Sequence, residues 1–151
     1  MRGSRQIEEP TPRLQAIHRR VHKLLSRVAA PEHLHSTIKG RSYVTNARAH
    51  VGRGGCVKID VKKFFQSVPR AAVYKFFKEE MQCAGDAAGL LARLLTFRGH
   101  LPTGSSCSPI LAYYCYRGLF DAVANSAEKA GFTPTTYVDD LSISGNGVFS
   151  G

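Results

Sequence analysis

Apolar residues recur along this chain in two different rhythms. Leu14, Ile17, Val21, Leu24, Leu25 and Val28 fall at three- and four-residue intervals, which predicts a helix over about 12–29. Thr11 is placed to cap it, Pro12 fits its first turn and Pro31 marks its end. Residues 36–53 show no sustained period and read as irregular or hairpin-like. The Gly52 to Gly55 turn leads into a short apolar strand, about Cys56 to Ile59, with Asp60 at its end. Pro69 opens a second helix to about Glu80, with Val73, Phe76, Phe77 and Met81 as its buried face. A third runs from about Asp86 to Phe97 on Leu90, Leu91, Leu94 and Leu95, and Gly99 ends it. The stretch from Leu101 to Pro109 is a Gly/Ser/Pro loop. Ser108 and Pro109 then start a helix to about Ala130, stopped by Gly131. Two short β runs close the chain, Thr135 to Val138 and Leu141 to Ser144, forming a hairpin with Asp139 and Asp140 at its tip. No internal repeat or low-complexity linker interrupts this order.

Composition narrows the class. The 151 residues suggest one domain, or an incomplete part of a larger one. A hydrophobic content of 43% excludes a disordered basic tail. No uncharged apolar run reaches membrane-spanning length, and MRGSRQIEEP lacks a signal core, so a cytoplasmic protein without a membrane partner is expected. Cys56, Cys83, Cys107 and Cys115 form no CxxC pair, which favours reduced thiols over a zinc site or a disulfide scaffold. The net charge is +10, of which residues 1–53 carry +8. Arg13, Arg19, Arg20, Lys23 and Arg27 lie on the first helix. Such clustering favours a polyanionic partner, nucleic acid before a membrane surface.

The candidate chemistry rests on three aspartates. One carboxylate at a strand end and another at a hairpin tip can hold a pair of hard cations from opposite strands of one sheet. Two Mg²⁺ ions so held can activate a primer hydroxyl and stabilise a leaving pyrophosphate. Asp60 and Asp139 suit those roles, and Asp140 adds charge beside them. An Asp-Asp turn alone is more often a solvent-facing acidic pair, so the combination with the strand-end Asp60 and the Gly/Ser/Pro loop is what carries weight.

That combination resembles the bacterial retron-type reverse transcriptases. Tyr137-Val138-Asp139-Asp140-Leu141-Ser142-Ile143-Ser144 is similar to the family's YxDD hairpin. Val57-Lys58-Ile59-Asp60-Val61-Lys62-Lys63-Phe64-Phe65-Gln66-Ser67 is similar to its first metal-binding motif, and Leu101 to Pro109 to its nucleotide and template loop. Gly40-Arg41-Ser42 with Asn46, Ala47 and His50 resembles its fingers region. These stretches span about residues 36–145.

The resemblance implies an α+β fold, a right-hand polymerase with fingers and palm, an antiparallel palm sheet and packed helices. Residues 1–55 would be a basic helix and fingers portion. Residues 56–151 would be a partial palm with interleaved fingers helices. Asp60, Asp139 and Asp140 would bind Mg²⁺. The Val61 backbone and the Phe65 ring would border the incoming sugar, Phe65 as a steric gate against a ribose 2′-hydroxyl. Thr103 and Gly104 would border the nucleotide, although Pro102-Thr103-Gly104 departs from the commoner Pro-Gln-Gly by a shorter side chain without an amide. Lys39 and Arg41 are candidate phosphate contacts. Cys107 reads as packing and His50 as a hydrogen-bonding partner.

The implied activity is RNA-directed DNA synthesis from dNTPs, with a structured non-coding RNA as template and primer, nascent DNA as product, and a retron effector or a missing polymerase segment as a further partner. The family's thumb does not fit in Gly145 to Gly151, which leaves a truncated, incomplete or split polymerase as the expectation. The alternatives are a noncatalytic RNA-binding or assembly module and an RNA-directed RNA polymerase.

Overall fold

A computed structural model describes residues 7–147 of the chain. Arg2 and Arg5 of the basic run, and residues 148–151, lie outside them. The fold is mixed, a small antiparallel sheet with packed helices. It divides into two compact units, each built from two stretches of chain: Met1–Arg27 with Lys63–Cys115, and Val28–Lys62 with Tyr116–Gly151.

The first unit is helical. Helix α1, Pro12–Leu25, ends four residues earlier than its apolar rhythm suggests, at Ser26. Thr11 stands at its N-cap without a side-chain cap bond. The buried face of α1 is His18, Val21 and Leu25, while Ile17 and Leu24 are exposed. In the second unit, Tyr43–Arg48 forms a short helix, α2, where an irregular segment is expected. The reason is local: Ser42 and Thr45 form a reciprocal capping box. Strand β1 follows at Gly55–Asp60.

Returning to the helical unit, Phe65–Ser67 makes one 3₁₀ turn. Helix α3, Arg70–Lys75, continues as a π-helical turn, Phe76–Glu80, with Pro69 as its N-cap. Val73, Phe76 and Phe77 are buried as the pattern requires, but Met81 lies past the turn and is exposed. Helix α4, Gly85–Leu95, buries Ala88, Ala92 and Leu95 and leaves Leu90 exposed. Its small residues, rather than its leucines, form much of the contact stripe.

The long helix expected over 109–130 is two helices, α5 at Ser108–Cys115 and α6 at Arg117–Lys129. Tyr116 leaves the helical region (φ −126°, ψ 21°) and breaks the run. The two units part at this break. Helix α5 is buried nearly all round, with Ile110, Leu111, Tyr113 and Tyr114 inside the helical unit. Phe76 stacks on Tyr114 with ring centroids 5.7 Å apart. Each such fully buried side chain contributes about 1.5–3 kcal/mol. Cys107 is also buried, and burial pushes its thiol up to about 12. The four cysteines are free thiols.

The second unit holds the sheet. Gly131 ends α6 with a positive φ of 80°. Strand β2, Thr133–Tyr137, and strand β3, Asp140–Gly145, form an antiparallel hairpin. Strand β1 joins on the other side of β3, giving the order β1-β3-β2. Residues of β2 and β3 are largely buried, whereas β1 is an edge strand with Val57 and Ile59 exposed. No described helix is long and apolar enough to cross a membrane.

Candidate active site

The register of the sheet gathers the acidic residues. Asp60 is the direct cross-strand partner of Asp140, and Ile59 that of Leu141. Partners in an antiparallel pair point to the same face, so Asp60 and Asp140 share one with Lys58 and Ser142. Past the end of the strand, the Val61 N–H donates to the Asp139 carbonyl at 3.0 Å. Tyr137 pairs with Asp140, leaving Val138 and Asp139 as a two-residue loop. Val138 takes a positive φ of 59°, as the first central residue of a type II′ hairpin turn does. A strand end and a hairpin tip thus bring together Asp60, Val61, Asp139 and Asp140 across a sequence separation of about eighty residues.

An ammonium group sits among these acids. Lys58 Nζ lies 2.8 Å from Asp140 Oδ2. The hydrogen bond and charge of Asp140, with smaller pulls from Asp60 and Asp139, push the Lys58 amine up from its ordinary value. The aspartates therefore act as one negative field. Lys58 is not among the residues expected at the site, although its place two residues before Asp60 on the same strand face is a usable signal.

Carboxylate oxygens are the donors that Mg²⁺ prefers, and the Lys58 ammonium stands where positive charge is drawn, so the donor set fits a hard cation in kind. As placed, the described residues include no group of three His, Cys, Asp or Glu side chains arranged to hold a metal ion. Lys58 engages Oδ2 of Asp140 and competes with a cation for that oxygen.

His50 is on the same face at the far end of the hairpin. Its Nδ1 is 2.6 Å from Ser144 Oγ and its Nε2 2.7 Å from Thr135 Oγ1. Ser144 is four residues along β3 from Asp140, roughly 13 Å at the rise of a strand. His50 clasps β2 to β3 and does not reach the acids. Arg41, a candidate phosphate contact, is also engaged: its Nη1 donates to the carbonyls of Pro31, Glu32 and Leu34, the last at 2.7 Å. Lys39 is exposed nearby in sequence.

In the helical unit, Phe64 and Phe65 part ways. Phe64 is buried, while Phe65 is only half-buried, with ring centroids 5.6 Å apart. Thr103 and Gly104 are packed against the chain's own N-terminal segment. Thr103 Oγ1 accepts the Glu8 N–H at 3.0 Å, and the Gly104 N–H donates to the Glu8 carbonyl at 3.0 Å.

The whole described stretch matches a known family. Residues 2–148 match the family described as Reverse transcriptase (RNA-dependent DNA polymerase). The Retron Mx65 reverse transcriptase of Myxococcus xanthus is 33% identical over 165 residues, covering 97% of this chain and 38% of that protein. The Retron Se72 reverse transcriptase of Salmonella heidelberg is 28% identical over 141 residues, covering 93% of this chain and 37% of that protein. The Retron Mx162 reverse transcriptase of Myxococcus xanthus is 33% identical over 161 residues, covering 94% and 33%. The chain belongs to the reverse transcriptase family, and within it to the retron type. It spans well under half the length of these relatives.

Proposed function

We propose that this chain carries the catalytic centre of an RNA-directed DNA polymerase that acts on a structured non-coding RNA, with Asp60, Asp139 and Asp140 as the metal-binding carboxylates. The observation that supports it best is the pairing of Asp60 with Asp140 beside the Asp139–Val61 hydrogen bond, around the Lys58 ammonium. In this reading residues 1–55 are a basic helix and fingers portion. Residues 56–151 are a partial palm with interleaved fingers helices. The protein works in the cytoplasm, and a retron effector or a further polymerase segment is a partner.

Mg²⁺ bound by the aspartates supplies the Lewis acidity that makes a primer hydroxyl a competent nucleophile and neutralises charge at the phosphoryl group. The chain's own residues do the rest. Asp60 and Asp139 present carboxylates from a strand end and a turn, two rigid backbone positions. The Val61 N–H is engaged by Asp139, so this backbone serves the site by fixing the turn as well as by bordering the sugar. Phe65 keeps part of its ring exposed, as a gate against a 2′-hydroxyl requires and a purely packed residue does not. Thr103 and Gly104 border the nucleotide. Lys39 contacts phosphate through its exposed amine, and Arg41 with the donors left after its backbone clasp. Arg13, Arg19, Arg20 and Lys23 on α1, with Arg27 just past its end, are all exposed and form the RNA-facing charge.

The test is primer extension on RNA with a polymerase containing this chain. Asp60→Asn or Asp139→Asn keeps side-chain size and removes the charge. RNA binding should survive while synthesis falls by about a thousandfold or more. Phe65→Ala should raise rNTP incorporation relative to dNTP. Near-normal extension by a folded Asp139→Asn protein would sink the assignment. Efficient wild-type rNTP use would favour RNA synthesis, and RNA binding without any extension would favour an assembly module.

A further inference from the structure

We propose that the N-terminal segment Ile7 to Pro10 is a strap that positions the Thr103–Gly104 loop, with Glu8 as its positioning residue, so that nucleotide affinity depends on a residue far from the acids in sequence. This inference rests on the polymerase reading.

The strap is fastened in register. Glu8 N–H to Thr103 Oγ1 and Gly104 N–H to Glu8 carbonyl form a reciprocal pair, each 3.0 Å. The Glu8 carboxylate is itself held: His100 Nε2 lies 3.1 and 3.0 Å from its two oxygens, and the side chains of Glu8 and His100 are only 13% and 21% exposed. Gln15, near the start of α1, closes the other end. Its Nε2 donates to the Gly104 carbonyl at 3.2 Å, and its Oε1 accepts the Ser106 N–H at 3.4 Å. The strap and the start of α1 thus hold residues 100 to 106 between them.

Gly104 is where the strap crosses closest. A methyl group built there would lie 3.0 Å from both the Glu8 carbonyl oxygen and the Glu9 Cα, and 3.2 Å from the Ile7 side chain. Two of these neighbours are backbone and yield little. A side chain at 104 would thus press on the strap, whose backbone would have to give by a few tenths of an ångström. Thr103 likewise serves the strap, its hydroxyl oxygen accepting the Glu8 N–H. The loop is made rigid from the N-terminal side before nucleotide arrives, which lowers the ordering cost of binding.

Amide exchange of Gly104, read on this chain, and KM and kcat for dNTP, read on a polymerase containing it, test the proposal together. Thr103→Val keeps shape and removes the acceptor, and Glu8→Gln removes the charge facing His100. Each should speed Gly104 exchange about threefold to tenfold, Thr103→Val by the loss of one hydrogen bond and Glu8→Gln by the loss of the charge that strengthens the bond to His100. Each should also raise KM for dNTP severalfold, with kcat changed less. Thr103→Ser keeps the hydroxyl and should restore both. A rise in KM for Thr103→Val without one for Glu8→Gln would mean direct nucleotide contact and overturn the strap. So would Gly104 exchange that neither variant changes. If exchange quickens as expected but the wild-type polymerase never extends a primer, the polymerase reading fails and the positioning role with it.

Discussion

Val138 carries a backbone conformation that β-branched residues rarely adopt, at a cost of about 1–3 kcal/mol. The sheet imposes it, because Tyr137 pairs with Asp140 and leaves two residues to turn. The tight turn keeps the Asp139 carbonyl within reach of the Val61 N–H. Gly145, at the other end of β3, is constrained from outside: a methyl there would lie 2.5 Å from Phe132 Cδ1. Gly145→Ala should therefore lose about 1–3 kcal/mol in urea unfolding. Gly89→Ala, in the interior of α4 with open space around it, should gain about 0.5–1 kcal/mol. Equal effects of the two substitutions would contradict this account. At this scale the sequence revealed Asp60, Asp139 and Asp140 through their places at a strand end and a turn. Lys58 was legible only as a neighbour of Asp60 on the same strand face, and Glu8 was hidden, its partners lying ninety-odd residues away.

Among the elements, α1 is the clearest case of a pattern only half legible. Its helical period was visible, but Ile17 and Leu24 stand exposed, while His18 is buried. His18 is held there by hydrogen bonds that periodicity cannot see. Its Nε2–H donates to the Leu94 carbonyl at 2.9 Å, which leaves Nδ1 to accept from Ser105 Oγ at 2.6 Å. The exposed face carries the basic residues. Arg19, Arg20 and Lys23 changed together to Gln should weaken RNA binding. The slope of log affinity against log salt should flatten by about 0.7 for each phosphate no longer neutralised. An unchanged salt titration would make that face a solvated one. The α5–α6 division at Tyr116 is only weakly signalled in the sequence, by Gly118, a poor helix former two residues past the break. Helix α2 was legible in principle through Ser42 and Thr45, but its six residues are too few to show a period.

For the molecule as a whole, three histidines give stability the same pH dependence in both units. His18 in the helical unit, and His35 and His50 in the sheet unit, are all held below the ordinary value of 6.5, chiefly by burial. A depressed imidazole contributes stability above the unfolded value, and that contribution is lost as the pH falls through the folded value. Melting temperature should thus be steady from pH 8 to about 6.5 and fall toward pH 5, before most carboxylates titrate. A melting temperature that holds or rises down to pH 5 would refute this.

The place of β1 in the sheet has a consequence in time. Strands β2 and β3 are adjacent and can zip within microseconds of leaving the ribosome. Among the described strands β1 pairs with β3 alone, whose first residue, Asp140, is made eighty residues after Asp60. At about 5–20 residues per second, translation leaves β1 waiting roughly 4–16 s. Through that interval the backbone of Gly55–Asp60 lacks its ladder partner, so the segment that brings Asp60 to the hairpin is open to chaperones and to stray pairing with other strands.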